Sequence, residues 1–267
     1  MAASLASLAR PILVINPNTT KAMTDGLEVA LRPLVEGGKL PTPTYMTAAS
    51  GIASINNSED CHASAEAVYP SLVSTASSSS HPSILSQHSA VLVACYSVHP
   101  LVPRLSALDP NKPVLGIFEA SILASLAVCL QPQDRFGIVT TGAVWEEILS
   151  AGVRDFLGQP RGTEARGTKF AGVETTGLNA VELHTTPQDE VTSRLKEAVK
   201  RLIRRTKADG GDLRAVCLGC AGMVGFDEAV RAGCIEELGE GPARRIQIVD
   251  GVKSGYVMLE GMVRNGS

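Results

Sequence analysis

Short unbroken runs of branched aliphatic residues alternate along the chain with longer stretches in which apolar residues recur at helical spacing. The first pattern predicts strands buried on both faces, and the second predicts the helices that cover them. Strands are predicted at PILVINPN (11–18, ending in a turn), TPTYMTAA (42–49), SAVLVACYS (89–97) and KPVLGIF (112–118). Four more are predicted at RFGIVTTG (135–142), KFAGVETTGL (169–178), LRAVCLG (213–219) and RRIQIVD (244–250). Helices are predicted over 20–35, 58–76, 119–130, 143–157, 187–208, around 224–238, and over 251–263. Ser58 is the expected N-cap of the second helix, with Glu59 and Asp60 in its first turn. Cys129 is expected on the packing face of the third. The polar SSSSHPS (77–83) and the Gly-rich 158–168 interrupt the pattern. Regular alternation of strand and helix identifies an α/β fold with parallel sheets.

Ligands of such sheets lie beyond the carboxyl ends of the strands. Those ends read NPNTT (16–20), CYS (95–97), TTG (140–142), ETTGL (174–178), GCAG (219–222) and DG (250–251). They are rich in small hydroxyl residues, glycines and thiols. Several open directly into helices, whose N-terminal N–H groups make a cradle for an anion or a carbonyl. Two of the ends match: VLVACYS and AVCLGCAG each place a cysteine where an apolar strand stops, nearly half the chain apart. This predicts two similar α/β halves, each offering one thiol to a shared cleft. Such a pair suits stereoinversion at a carbon acid, where one thiolate removes a proton and the opposite thiol delivers one. Donors aimed at the adjacent carbonyl stabilise the enolate.

Composition narrows the class further. The chain has 267 residues, 44% hydrophobic, with a formal net charge of −3. That length suits one large or two modest domains. The charge balance excludes the basic face of a nucleic-acid binder, and no apolar run reaches the length of a membrane span. A small-molecule substrate is the expected partner. The N-terminal MAASLASLARPILVIN carries no convincing signal-peptide core, and the scattered cysteines are not spaced as a secreted framework. A cytoplasmic setting with reduced thiols is expected, and a homo-oligomer is the expected assembly.

The stretches ILVINPNTTKAMT, ACYSV and LGCAGM resemble the hydantoin racemase branch of the aspartate/glutamate racemase superfamily, which includes allantoin racemases and fungal proteins linked to nitrogen catabolism. PVLGIFEAS, FGIVTTGAVW, ETTGL and IQIVDGVKSG extend the resemblance from about residue 11 to 264. It implies two pseudo-symmetric α/β domains, divided as 1–116 plus 240–267 and 117–239, with the active site in the cleft between them. It further implies a cofactor-independent racemase of a hydantoin, allantoin or related carbon acid, with Cys95 and Cys220 as the catalytic pair and no metal. Substrate contacts carry over to Asn18, Thr19, Tyr96 and Ser97, and to Thr140, Thr141, Ala221 and Gly222. After its first cysteine the chain has YSVHP where hydantoin and allantoin racemases carry an acidic-Pro-Gly run. After its second it has Ala-Gly where amino-acid racemases carry Thr-His. The second motif therefore favours the hydantoin-like branch, and the first leaves the substrate open.

Competing readings stand beside this one. An Asp/Glu racemase, a one-cysteine decarboxylase or isomerase of the same superfamily, and a ligand-binding protein without catalysis all use this architecture. Free cysteine is commonly a core residue, and Cys61, Cys129, Cys217 and Cys234 are read so. CLGC as a redox or zinc pair is disfavoured, because Cys217 lies inside its strand and no second pair exists. His99, four residues after Cys95, is a candidate proton partner set against a packing role. Glu119 is weighed against a helix-dipole carboxylate. His62, His81, His88 and His184 have no motif around them.

Overall fold

The computed structural model describes residues 10–73, 83–159 and 168–266. His81, the start of the N-terminal segment, and most of the 77–83 and 158–168 breaks lie outside the described residues. The chain divides into two compact units, Met1–Ala120 with Val252–Ser267, and Ser121–Gly251.

In the first unit, β1 (Ile12–Asn16), β2 (Thr44–Thr47), β3 (Ala90–Val93) and β4 (Val114–Gly116) form a parallel sheet of order β2-β1-β3-β4. Its helices are α1 (Lys21–Val35), α2 (Ser58–Val73) and α3 (Leu101–Leu108). α4 (Ile117–Leu126) carries the chain into the second unit, and α10 (Gly251–Asn265) carries it back. In the second unit, β5 (Asp134–Thr140), β6 (Phe170–Thr175), β7 (Asp212–Leu218) and β8 (Gln247–Asp250) form a parallel sheet of order β6-β5-β7-β8. α5 (Val144–Phe156), α6 (Glu182–Thr185), α7 (Gln188–Ala208), α8 (Asp227–Leu238) and α9 (Glu240–Arg244) complete it.

Burial follows strand position. Every residue of the central strands β1, β3 and β5 is buried, as a sheet covered on both faces requires. Edge strands β2 and β8 are partly exposed and correspondingly more polar, TYMT and QIVD. Leu13, Ile15, Val91, Val93, Leu101 and Leu105 belong to one core in the first unit. In the second, α7 buries Val191, Leu195, Ala198, Val199, Leu202 and Ile203, a stripe at helical spacing, in a common core with β5 and β7.

Several expectations are corrected. Asn57 rather than Ser58 caps α2: its Oδ1 accepts the Asp60 N–H at 2.8 Å, and Ser58 is already helical. Ile117 and Phe118 open α4 instead of ending β4. Cys129 is buried but lies past α4, in a turn where its N–H reaches the Ser125 carbonyl. Residues 240–251 fall in the second unit because β8 pairs with β7, where the sequence reading grouped 240–267 with the first. α3 and the short α6 and α9 had no counterpart in the hydrophobic pattern.

The strand order has a consequence for function. In each sheet the chain moves outward from one central strand, then crosses to the opposite side. β1/β3 and β5/β7 are therefore the switch points, the places where ligands lie in open α/β sheets.

α7 and α8 approach closely at Gly233. A Cβ there would lie 2.9 Å from Lys196 Cα and 3.1 Å from Lys196 O, and against Val199 Cγ1. Backbone cannot yield as a side-chain tip can, so Gly233→Ala is expected to destabilise the protein by about 1–3 kcal/mol, read as a lower midpoint in urea unfolding.

Candidate active site

At the β1 exit, Asn16 organises the loop. Its Nδ2 donates to Thr20 O at 3.1 Å and Thr24 Oγ1 at 3.0 Å, while its Oδ1 accepts from Asn18 N at 3.1 Å. Asn18 Oδ1 accepts from Thr20 N at 2.9 Å. Thr19 holds Ile52 O through its N–H at 2.9 Å. Both predicted residues, Asn18 and Thr19, thus stand at the switch point with much of their hydrogen bonding committed to the loop. Asn16, which the sequence reading passed over, is the anchor; an Asn ending an otherwise apolar strand was its signal.

At the β3 exit, Cys95 lies two residues past the strand and is partly exposed. Its Sγ is 3.3 Å from the Ser97 hydroxyl. Ser97 is 1% exposed and also accepts from Cys61 Sγ at 3.3 Å. Tyr96 is buried with its ring edge-on to Phe118, centroids 5.6 Å apart. The structure therefore groups Cys95, Tyr96 and Ser97, and it adds Cys61, which the sequence reading assigned to the core.

His99 is 1% exposed. Its Nδ1 accepts from Leu101 N at 3.3 Å, so the ring proton sits on Nε2, which has no hydrogen-bond partner. Burial, with a smaller push from His62, lowers its pKa to about 4. His99 is then neutral at pH 7 and supplies no positive charge to stabilise a thiolate. Glu119 shows the opposite response: burial raises its pKa to about 7, against the pull of the Glu119 and Gly116 backbone, and its Oε2 is unpartnered.

In the second unit, Thr140 and Thr141 end β5, both buried. Thr140 Oγ1 donates to Gly219 O at 2.6 Å, tying the β5 exit to the β7 exit. Gly219 has to be glycine, because a Cβ would lie 2.5 Å from Thr140 Cβ and 2.8 Å from Ile138 Cγ2. Cys220 follows, partly exposed and extended, as N-cap of the short 3₁₀ turn Ala221–Met223. Its Sγ accepts the Gly222 N–H at 3.3 Å. Burial pushes the Cys220 thiol up to about 11, with the Gly222 bond working against it. Cys217 is fully buried in β7, its Sγ 3.1 Å from Ser125 Oγ, an environment distinct from that of Cys220. Among the described residues, no group of three or more His, Cys, Asp or Glu side chains could hold a metal ion. Among them, too, no helix is long and apolar enough to cross a membrane.

The family model for Asp/Glu/Hydantoin racemase matches residues 12–259. The chain belongs to that family. Membership places it among racemases, and the similarity lies on the hydantoin side. A hydantoin racemase of a Pseudomonas species is 28% identical over 259 residues, 96% of this chain and 86% of the relative. An uncharacterized protein of Schizosaccharomyces pombe is 32% identical over 257 residues, 95% of this chain and 92% of its own length. Among solved structures, allantoin racemase from Pseudomonas fluorescens superposes with a TM-score of 0.68 at 24% identity, covering 96% of this chain and 92% of that one. That likeness shows the shared fold.

The His99 shift fixes a sign. Its folded-state value, about 4, lies below the ordinary 6.5, so the native state binds fewer protons between those values. Its stabilising contribution is present above about 6.5 and is lost as pH falls towards 4. Glu119 acts in the opposite sense over an overlapping range, so the comparison is variant against wild type. His99→Asn is expected to lose less stability than wild type on acidification from pH 7 to 4, by up to about 3 kcal/mol, in urea melts across that range. Parallel profiles would show that His99 carries no such shift.

Proposed function

We propose that this chain racemises a hydantoin, allantoin or related cyclic ureide without a cofactor, using Cys95 and Cys220 as the two proton-transfer groups. The observation that carries the reading is positional. Each cysteine is a partly exposed residue at the switch point of a sheet whose strand order repeats in the two units, within a family whose named members include hydantoin racemases.

In this reading, the thiolate on one side takes the α-proton, and the electron pair moves onto the adjacent carbonyl as an enolate. The thiol on the other side returns a proton to the opposite face. Neither group does both jobs in one turnover, and reversing direction exchanges their roles. The ring is held by Asn18, Thr19, Tyr96 and Thr141 and by the amide of Ala221. Ser97, Thr140 and Gly222 act one step back. Ser97 bonds to Cys95, the Thr140 hydroxyl is given to Gly219, and the Gly222 N–H is given to Cys220. Cytoplasmic reducing conditions keep both sulfurs as thiols.

One observation favours a second reading. Cys220, raised to about 11, is held protonated, which suits one-cysteine chemistry such as decarboxylation, where loss of CO₂ leaves an enolate that a single thiol protonates. Assays of L- and D-5-substituted hydantoins, allantoin, aspartate and glutamate in D₂O separate the two. Under the racemase reading, optical rotation decays with deuterium entering the α-carbon, and Cys95→Ser and Cys220→Ser each lower racemisation by at least about 10²-fold. Binding without α-deuteration would leave a non-catalytic protein, and activity confined to malonates or maleate would establish the one-cysteine chemistry.

A further inference from the structure

Cys61 sits in the first turn of α2 and is 3% exposed. Its sequence surroundings are those of any core cysteine, yet its Sγ donates to Ser97 Oγ at 3.3 Å. That same oxygen is 3.3 Å from Cys95 Sγ. A hydroxyl carries one proton and two acceptor positions. With the Cys61 S–H on one acceptor position, the Ser97 proton is available to Cys95, and it must be the donor whenever Cys95 is a thiolate, because a thiolate can only accept. The chain of donors then runs Cys61 to Ser97 to Cys95 and ends on the sulfur at the strand exit. Donation to a charged group favours the charged form.

We propose that Cys61 is a positioning residue that, through Ser97, holds Cys95 ready as a thiolate and titrates with it as a pair. The proposal rests on the reading of Cys95 as a proton-transfer group. Two further observations bear on it. α2 is fixed against the β1 exit by Ser64 Oγ, which donates to Pro17 O at 2.5 Å, so Cys61 is delivered to Ser97 by tertiary structure. The Cys61 thiol is itself held below its ordinary range, chiefly by hydrogen bonding with Cys95 and secondarily with Ser97, against burial and the charge of Asp60. The two thiols are thus linked directly as well as through Ser97, and the early proton belongs to the pair rather than to either sulfur. Linked thiols lose their protons in two steps that belong to the pair, the first early and the second late.

The ionisable groups on the elements carrying the cluster are Glu59, Asp60, His62, Glu66 and Tyr69 on α2 and His99 beyond β3, with Arg104 of α3 paired to Glu66 and lying over Tyr69. The carboxylates oppose a thiolate, and His99 is neutral. Glu119, in the same unit, is neutral only below about 7. His99, being neutral, does not supply the imidazolium that commonly activates a cysteine, and hydrogen bonding from Ser97, backed by Cys61, is a means of activation that does not require one.

The test is the pH dependence of alkylation by iodoacetamide, followed for the Cys95 peptide by mass spectrometry in the full-length protein. Wild type is expected to show a Cys95 midpoint below the ordinary thiol value of about 8.5. Cys61→Ala is expected to raise that midpoint by about one unit and slow alkylation at pH 7 about fourfold, a tenfold loss of thiolate partly offset by the greater nucleophilicity of a more basic sulfur. Cys61→Ser keeps a donor to Ser97 and is expected to recover most of the shift, a rescue that a purely space-filling role would not show. Ser97→Ala breaks the chain without touching Cys61 and is expected to match Cys61→Ala, which covers a folding defect in either variant as judged by circular dichroism. An unchanged Cys95 midpoint in the folded alanine variants would overturn the proposal. Failure to racemise any hydantoin would overturn the substrate reading and leave this titration intact, so the two outcomes are told apart.

Discussion

A parallel sheet covered by helices on both faces admits no polar chemistry along its strands. β1, β3 and β5 are buried throughout, and a charged or reactive side chain there would be desolvated at considerable cost. Polar groups are admitted where the ladder runs out, because carbonyls and N–H groups that lose a strand partner must find another. The β1 exit satisfies them with the Asn16 side chain and with N–H groups from Ala48 and Ala94. The β5 and β7 exits do so with the Thr140 hydroxyl on Gly219 O and the Gly219 N–H on Val139 O. The groups that complete the sheets are thus the ones that hold the loops beside the thiols. Hydrogen-bonded supports of this kind are what positioned chemistry requires.

The same constraint explains why so much of the candidate site could be read from the sequence. A buried central strand is a contiguous apolar run, and its exit is the next few residues. Cys95, Ser97, Thr140 and Cys220 could therefore be located by reading forward from LVA, GIV and VCL. Two-sided burial also made β1, β3, β5 and β7 plain, whereas edge strands were overextended. KPVLGIF reads as one run, but only Val114–Gly116 pairs, and Ile117–Phe118 spend their apolar surface on α4. Periodicity cannot divide a short apolar run between a strand and the buried turn of a helix. α3 escaped notice because Pro100 and Pro103 look like breakers. Both fall where a helix has no N–H to lose, one at its N-cap and one in its first turn.

Cys61 shows what reading forward cannot reach. It lies 36 residues from Ser97, on a helix whose inward face also carries Ala65, Val68 and Leu72. At that spacing a thiol is indistinguishable from another small apolar residue. Its contact with Ser97 arises from the packing of α2 against the β1 and β3 exits. His99 shows the converse limit. Its closeness in sequence to Cys95 left a proton-partner role to be weighed against packing, and its burial in a neutral form favours packing.

The two halves repeat one topology but not one environment. Cys95 meets a hydroxyl backed by a second thiol, whereas Cys220 meets one backbone N–H and enough burial to raise it to about 11. Under two-thiol racemisation this asymmetry has a thermodynamic limit. Enantiomers are equal in free energy, so kcat/KM must be the same in both directions however unlike the two sulfurs are. The difference can appear only in how kcat and KM divide, and in which protonation state of the pair each enantiomer meets. With the charge on Cys95 and a proton on Cys220, as proposed, the protein accepts the enantiomer whose α-hydrogen faces Cys95. Its mirror image needs both protons exchanged first. Cys220 compensates when it does ionise, since a more basic sulfur is the stronger acceptor. A scarce strong base and an abundant weaker one can thus serve the two faces of one carbon with equal efficiency, and the departure from strict symmetry between the units need not impair a reaction that is itself symmetric.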